Sequence, residues 1–185
     1  MSRFDPHASW APLRERAAAT DNPRHKQLLT EVADHMEAEI NGRMEPLMAT
    51  LTAEPVYHMW RPGADSMVLE GAEAVRGFYG MMFDNGGQQF QVVIDRIVVD
   101  DGGVITEGQV RQVYPAAALS AMGVTEVDGQ DVANHEFWMS DAQLVTVWPA
   151  DPDAKLVGED IYFGEDAMAT LTPIAREEIP DYYVF

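Results

Sequence analysis

Proton-transfer chemistry needs imidazoles, carboxylates and phenols in reach of one another, and this chain offers them at a few positions. His35 and Glu39 stand one helical turn apart and therefore face the same side of a helix. At the mouth of a pocket such a pair exchanges protons near neutral pH, whereas on the surface it is a plain His–Glu contact. Tyr57 lies in the run Val56-Tyr57-His58-Met59. Strand alternation gives Tyr57 and Met59 one face and turns His58 outward, toward a helix or a subunit partner. Tyr57 is then either a core tyrosine with a satisfied hydroxyl or a donor to a developing oxyanion. Glu159 and Asp160 are adjacent, so in a strand one faces inward and the other outward. A carboxylate enclosed by Trp148, Ile161 and Phe163 has a raised pKa and can act as general acid or base. The alternative for Glu159 is a salt bridge with Arg96 or Arg111. His135 sits between a polar loop and Phe137-Trp138, placed either to swing into a pocket with a lid or to remain a loop histidine.

Composition narrows the chemistry. There are no cysteines, which excludes disulfides, thiolate metal sites and thiol nucleophiles. The sequence has no His-Glu-x-x-His, no phosphate loop and no serine elbow, so no metal, nucleotide or other cofactor is expected. A formal net charge of −19 opposes binding to nucleic acid and to anionic membranes, and its even spread reads as a device for solubility. No apolar run reaches the length of a membrane span, and the opening residues do not read as a signal peptide. A cytoplasmic location is expected.

The elements that must position these residues follow from periodicity. Pro6, Pro12 and Pro23 punctuate an N-terminal arm, residues 1–22, with a short helix over Ala11–Ala19. A single domain then spans 23–185. Its first helix runs from about Pro23 to Asn41, capped by Asp21 or Asn22, with Leu28, Leu29, Val32, Met36 and Ile40 at helical spacing. Glu45–Leu51 continues the apolar pattern, and Pro55–Trp60 is rich in strand formers. Gly71–Phe83 reads as a helix with Ala72, Val75, Phe78, Tyr79 and Met82 on its buried face, and on this reading it supports the fold without supplying chemistry. Phe90–Val99 and Val104–Tyr114 flank Asp100-Asp101-Gly102-Gly103, a hairpin signal. Pro115–Glu136 is a long connection with a turn at Val127–Gln130. Leu144–Trp148 and Lys155–Phe163 form a second hairpin, and Glu165–Leu171 reads as a closing helix. Helices followed by a mostly antiparallel meander define an α+β plan.

The order of these pieces resembles the nuclear transport factor 2-like superfamily in its SnoaL-like branch. The resemblance is carried by Gly42–Trp60, Gly71–Tyr79, Arg96–Tyr114 and Val145–Phe163. It implies a conical α+β barrel: a curved, mostly antiparallel sheet wrapped over N-terminal helices around a central apolar pocket. The superfamily includes ketosteroid isomerases, scytalone dehydratase, limonene epoxide hydrolase, polyketide cyclases and lyases of aromatic side chains, together with binding modules that do no chemistry. Position by position, His35 stands seven residues before Gly42, where the isomerases have a tyrosine. Tyr57 matches the working first-strand tyrosine of the hydrolase and the dehydratase. Met59 replaces the isomerase base. The hydrolase's arginine and two aspartates fall on Gly108, Val110 and Ile161, and the isomerase's second aspartate falls on Thr146. Tyr114 is the nearest polar group to a histidine of the cyclases.

The resemblance and the residues together imply a cofactor-independent lyase, dehydratase or isomerase for a small hydrophobic, hydroxylated, aromatic or cyclic substrate. Glu159 or His35 takes the proton, and Tyr57, with Tyr114 or His135, holds an oxyanion or protonates a leaving hydroxyl. Met59, Met82, Val110, Thr146, Trp148, Ile161 and Phe163 are expected to line the pocket. A homodimer or higher homo-oligomer is expected. The alternatives are a non-catalytic binding module of the same fold, or a dimer serving assembly only, with the tail Tyr182–Phe185 clasping a neighbour.

Overall fold

In the computed structural model, residues 3–184 are described, and Phe185 of the tail lies outside them. In chain order the elements are α1 (Ala11–Ala19), α2 (Pro23–Ile40), α3 (Met44–Ala49), β1 (Leu51–Trp60), β2 (Met67–Glu70), α4 (Gly71–Asp84), β3 (Phe90–Asp100) and β4 (Gly103–Pro115). They continue with α5 (Ala116–Ala121), the ministrands β5 (Glu126–Val127) and β6 (Gln130–Asp131), β7 (Phe137–Pro149), β8 (Leu156–Phe163) and β9 (Thr172–Ile174). The main sheet runs β2-β1-β8-β7-β4-β3, with β9 added beside the start of β7. Every pairing in it is antiparallel except β1 with β8. The sheet is curved but open: β2 and β3 are its edges, and they do not pair to complete a barrel. Register shifts in β1 near Leu51–Val56 and in β3 near Ile94–Arg96 bend the strands.

α2 forms where the sequence provides both a cap and an apolar face. The Asn22 side chain accepts from the backbone N–H groups of Arg24 (2.9 Å) and His25 (3.3 Å), and Pro23 occupies the first turn, where its missing N–H costs nothing. Gly42, at φ +63°, turns the chain out of the helix in a conformation that other residues seldom adopt. Leu28, Leu29, Val32, Ala33 and Met36 are buried against Met59, Val92, Val104, Trp148 and Leu156 of the sheet, and α4 adds Val75 and Tyr79 to the same core. Leu28, Val32, His35 and Glu39 share one narrow face of α2, aimed at the hollow of the sheet.

Both ends of the chain pack onto this body. Phe4 and Leu13, in the segment expected as an arm, are fully buried. Ser9 Oγ accepts from the backbone N–H of Val92 at 2.9 Å, fixing the segment to β3. At the other end the ring of Tyr183 lies edge-on to Phe4, its hydroxyl donates to the carbonyl of Val113, and burial pushes it up to about 12. Tyr182 stacks on His7 at 4.1 Å. These tail residues are therefore engaged by their own chain.

Two expectations for the elements change, and one strand carries no sequence signal. Phe137–Pro149 is one long strand, because β4 pairs with it along its whole length; the shorter run Leu144–Trp148 is only its apolar end. β2 is four residues long and lies at an edge, too short for an alternating run to mark it. Glu165–Leu171 makes a single 3-10 turn, Ala167–Thr170, capped by Asp166, and the chain then enters β9, where Pro173 is incompatible with a continuing helix. Among the described residues no helix is long and apolar enough to cross a membrane.

Candidate active site

The hollow between α2, α4 and the concave face of the sheet is a cavity of about 650 Å³. All seven residues expected to line it do so: Met59, Met82, Val110, Thr146, Trp148, Ile161 and Phe163. Tyr57, Tyr79, Glu39, Glu159 and Tyr114 share the wall.

Tyr57, Tyr79, Glu159 and His35 meet at one place, while Arg61, Gln112, Glu165 and Asp166 line the cavity apart from them. Parallel pairing sets Tyr57 beside Glu159 and His58 beside Asp160. The first pair faces inward and is buried, Tyr57 at 0% and Glu159 at 4% exposure. The second pair faces outward, where His58 Nδ1 and Asp160 Oδ1 are 2.7 Å apart. Behind the wall lies His35, fully buried. Its Nε2 is 3.1 Å from Glu159 Oε1, 3.2 Å from the Tyr79 hydroxyl and 3.4 Å from the Tyr57 hydroxyl. The Tyr79 hydroxyl donates to Glu159 Oε1 at 2.9 Å.

Thr50 fixes the histidine's tautomer. Its hydroxyl donates to the carbonyl of Leu47 at 2.6 Å, so it has only lone pairs for His35 Nδ1, also at 2.6 Å. Nδ1 therefore carries a hydrogen. Nε2 is left to face Glu159 Oε1 at 3.1 Å and the Tyr79 hydroxyl at 3.2 Å, so a proton taken up by either group of the pair has a short path to the other. The Tyr57 hydroxyl lies 3.3 Å from that of Tyr79 and 3.4 Å from His35 Nε2, and it also interacts with Glu159. Burial, and secondarily the charge of Glu159, holds the hydroxyls of Tyr57 and Tyr79 well above the usual tyrosine range. Both remain O–H donors at any pH the fold meets.

Replacing Thr50 with Val would leave the Nδ1–H of a buried imidazole without an acceptor. The expected loss of stability is about 1–3 kcal/mol, read by urea unfolding, with Thr50→Ser recovering most of it.

The sequence-based candidates divide accordingly. His35, Tyr57 and Glu159 converge. Tyr114 lies on the same cavity but bonds to Gln112 Oε1 at 3.1 Å, away from the cluster. His135 is off the wall: its ring sits edge-on to Trp138, and its Nε2 is 3.4 Å from Gln130 Oε1. That contact joins it to β6 of the long connection. The expected contact of His35 with Glu39 does not form, because His35 is turned inward to Glu159. The alternative salt bridges of Glu159 do not form either: Arg96 pairs with Glu107 at 3.2 Å and Arg111 with Asp141 at 3.0 Å, both outside the cavity.

Tyr79, Thr50 and the independent position of Glu39 were not anticipated. α4 is more than a scaffold, since Tyr79 bonds to Glu159. The available signal was a single phenol on an otherwise apolar helix face, too weak to separate from core packing. Among the described residues no three His, Asp or Glu side chains are placed to hold a metal ion.

Solved structures share this architecture at low identity. Bal32a, from a soil-derived mobile gene cassette, is 17% identical, with 79% of this chain and 95% of that one aligned at a TM-score of 0.55. A protein from Shewanella putrefaciens CN-32, assigned as a SnoaL-like polyketide cyclase, is 13% identical, with 82% and 87% aligned at 0.58. The epoxide hydrolase/cyclase-like enzyme SalBIII, with a role in pyran ring formation in the polyether salinomycin, is 13% identical, with 83% and 98% aligned at 0.52. These likenesses concern the fold. A comparison with curated proteins gives no match. The model of the SnoaL-like domain matches residues 32–139, from α2 into β7 and more than half of the sequence. The chain therefore belongs to the SnoaL-like domain family.

Proposed function

We propose that the chain is a cofactor-independent acid–base enzyme, a lyase, dehydratase or isomerase, for a small hydrophobic cyclic or aromatic substrate that bears an oxygen function. One observation carries this reading: a buried His35–Glu159 pair 3.1 Å apart, flanked by two tyrosine hydroxyls, stands against a cavity whose wall is rich in Met, Phe, Trp and aliphatic side chains, with Arg61, Gln112, Glu165 and Asp166 also on it. Glu159 and His35 act as the base. Tyr57 donates to the oxygen on which negative charge develops. A volume of about 650 Å³ suits a ligand of two to four fused rings.

The reading is supported from the side of known chemistry by two of the structural neighbours. One is assigned as a polyketide cyclase and another is an epoxide hydrolase/cyclase-like enzyme. A thermal-shift screen against aromatic diols, steroids and polyketide-like compounds is expected to find stabilising ligands, and some of these should be turned over without added metal or cofactor. Tyr57→Phe should then lower turnover by about 10²–10³-fold with little change in melting temperature. Ligands that bind tightly and are never converted, by wild type or variant, would favour a binding module instead. One observation speaks for that second reading: the polar groups of the cluster largely satisfy one another, as a purely structural buried network does.

A further inference from the structure

We propose that Glu39 is the proton donor of this cavity, protonating a carbonyl or hydroxyl oxygen of the substrate while the Glu159–His35 pair takes a proton from carbon. The proposal rests on the acid–base reading above and adds a residue to it.

Three features set Glu39 apart from Glu159. It lies on the cavity-facing stripe of α2, one turn beyond His35, and lines the cavity. Among the described residues its carboxyl has no hydrogen-bond or ion-pair partner, whereas Glu159 accepts from Tyr79 and faces His35. It is half-buried, and the cavity wall it shares includes the apolar side chains of Met36, Phe78 and Met82. The ionisable groups that act on it or share its cavity are Glu159 from β8, Tyr57 from β1, Tyr79 from α4, Tyr114 from β4, and Arg61, Glu165 and Asp166 from the loops after β1 and β8, with His35 one turn away on α2. The permanent cation among them, Arg61, lies over the Phe163 ring at 5.3 Å and makes no ion pair with Glu39. An unpartnered carboxyl in such a place is better accommodated as the neutral acid. Burial first, and then the charge of Glu159, holds Glu39 well above the usual carboxylate range. Two carboxyls with opposed environments divide naturally into donor and acceptor.

The step balances for a ketone. The substrate C–H bond breaks and its proton goes to the Glu159–His35 pair. The C–H electron pair becomes the enol C=C, and the carbonyl oxygen takes the proton of Glu39, which is left as carboxylate. When a carbon of the enol is reprotonated by the pair, the enol O–H returns its proton to Glu39.

The test needs no substrate at first. In full-length protein carrying ¹³Cδ-labelled glutamate, the resonance missing from Glu39→Gln identifies Glu39. It should sit at the carboxylic-acid position at pH 7 and ionise only at higher pH. In Glu159→Gln it should ionise at lower pH, because the neighbouring charge is gone. Glu39 found ionised at pH 7 would overturn the proposal. Stability gives a second readout with a definite sign. The native state retains a proton that the unfolded chain loses in the usual carboxylate range, so stability declines as pH rises from that range toward the raised native value. Glu39→Gln should flatten this decline, and an unchanged slope counts against the proposal. With a substrate from the screen, Glu39→Gln should lower turnover by about 10²–10⁴-fold. Full turnover in Glu39→Gln alongside an inactive Glu159→Gln would remove Glu39 and leave the acid–base reading standing. Full turnover in both would remove the reading itself.

Discussion

Glu159→Gln is expected to lower turnover by about 10²–10⁴-fold while leaving the protein folded. Glutamine keeps the shape of glutamate and keeps an oxygen that can accept from Tyr79, now at 2.9 Å from Glu159. It cannot take up a proton, so the exchange between this position and His35 Nε2 is abolished. The fold should tolerate the change because it removes an ionisable group from a site only 4% exposed, where a charge is held at a desolvation cost. Initial rates on a substrate from the thermal-shift screen, set beside the melting temperature of the same preparation, decide the matter. Undiminished turnover in a folded variant would take Glu159 out of the mechanism.

The largest expected effect on stability is at the preceding residue. Gly158→Ala should cost about 2–6 kcal/mol, combining backbone strain with overpacking, out of the ~5–15 kcal/mol typical of a whole domain. A Cβ at this position would lie 1.7 Å from the carbonyl oxygen of Val56 and 2.6 Å from its carbon. Those are backbone atoms of β1, which cannot turn aside as a side chain would. The φ of +152° adds strain for any residue with a Cβ. Relief would require β1 and β8 to separate at the one parallel ladder of the sheet, beside the Tyr57–Glu159 pair. Gly77→Ala is the matched control. Its Cβ meets nothing within 4 Å in the middle of α4, so it should be neutral or stabilising by up to about 1 kcal/mol. Urea midpoints of the two variants test both expectations, and equal midpoints would contradict the tight β1–β8 approach.

Much of the fold was legible in the sequence because it depends on local rules. Asn22-Pro23 starts α2 through hydrogen bonds made within a few residues. Asp100–Gly103 joins β3 to β4 because the chain must reverse there. Alternation puts Tyr57 and His58, and likewise Glu159 and Asp160, on opposite faces; the family resemblance says which face of the last strand is inward, and Met82 follows the helical period of α4. Alternation failed where length or edge position carried the information, as in β2, and where a proline ruled out the helix expected over Glu165–Leu171.

The site was only half legible. Its residue types and their inward or outward faces were determined by the sequence alone: an imidazole on the apolar side of α2, a phenol and a carboxylate on the inner faces of two strands, and no cysteine. Which of these groups meet was decided by tertiary structure. β1 and β8 are far apart in the chain, and nothing local specifies that they pair in parallel with Tyr57 opposite Glu159. That register arises from burying the two apolar faces together and from the close approach that Gly158 permits. It draws Glu159 to His35, brings Tyr79 over from α4 and leaves Glu39 alone on the wall. Side-chain direction is a property of the local backbone, whereas the partner it finds depends on packing between elements distant in sequence.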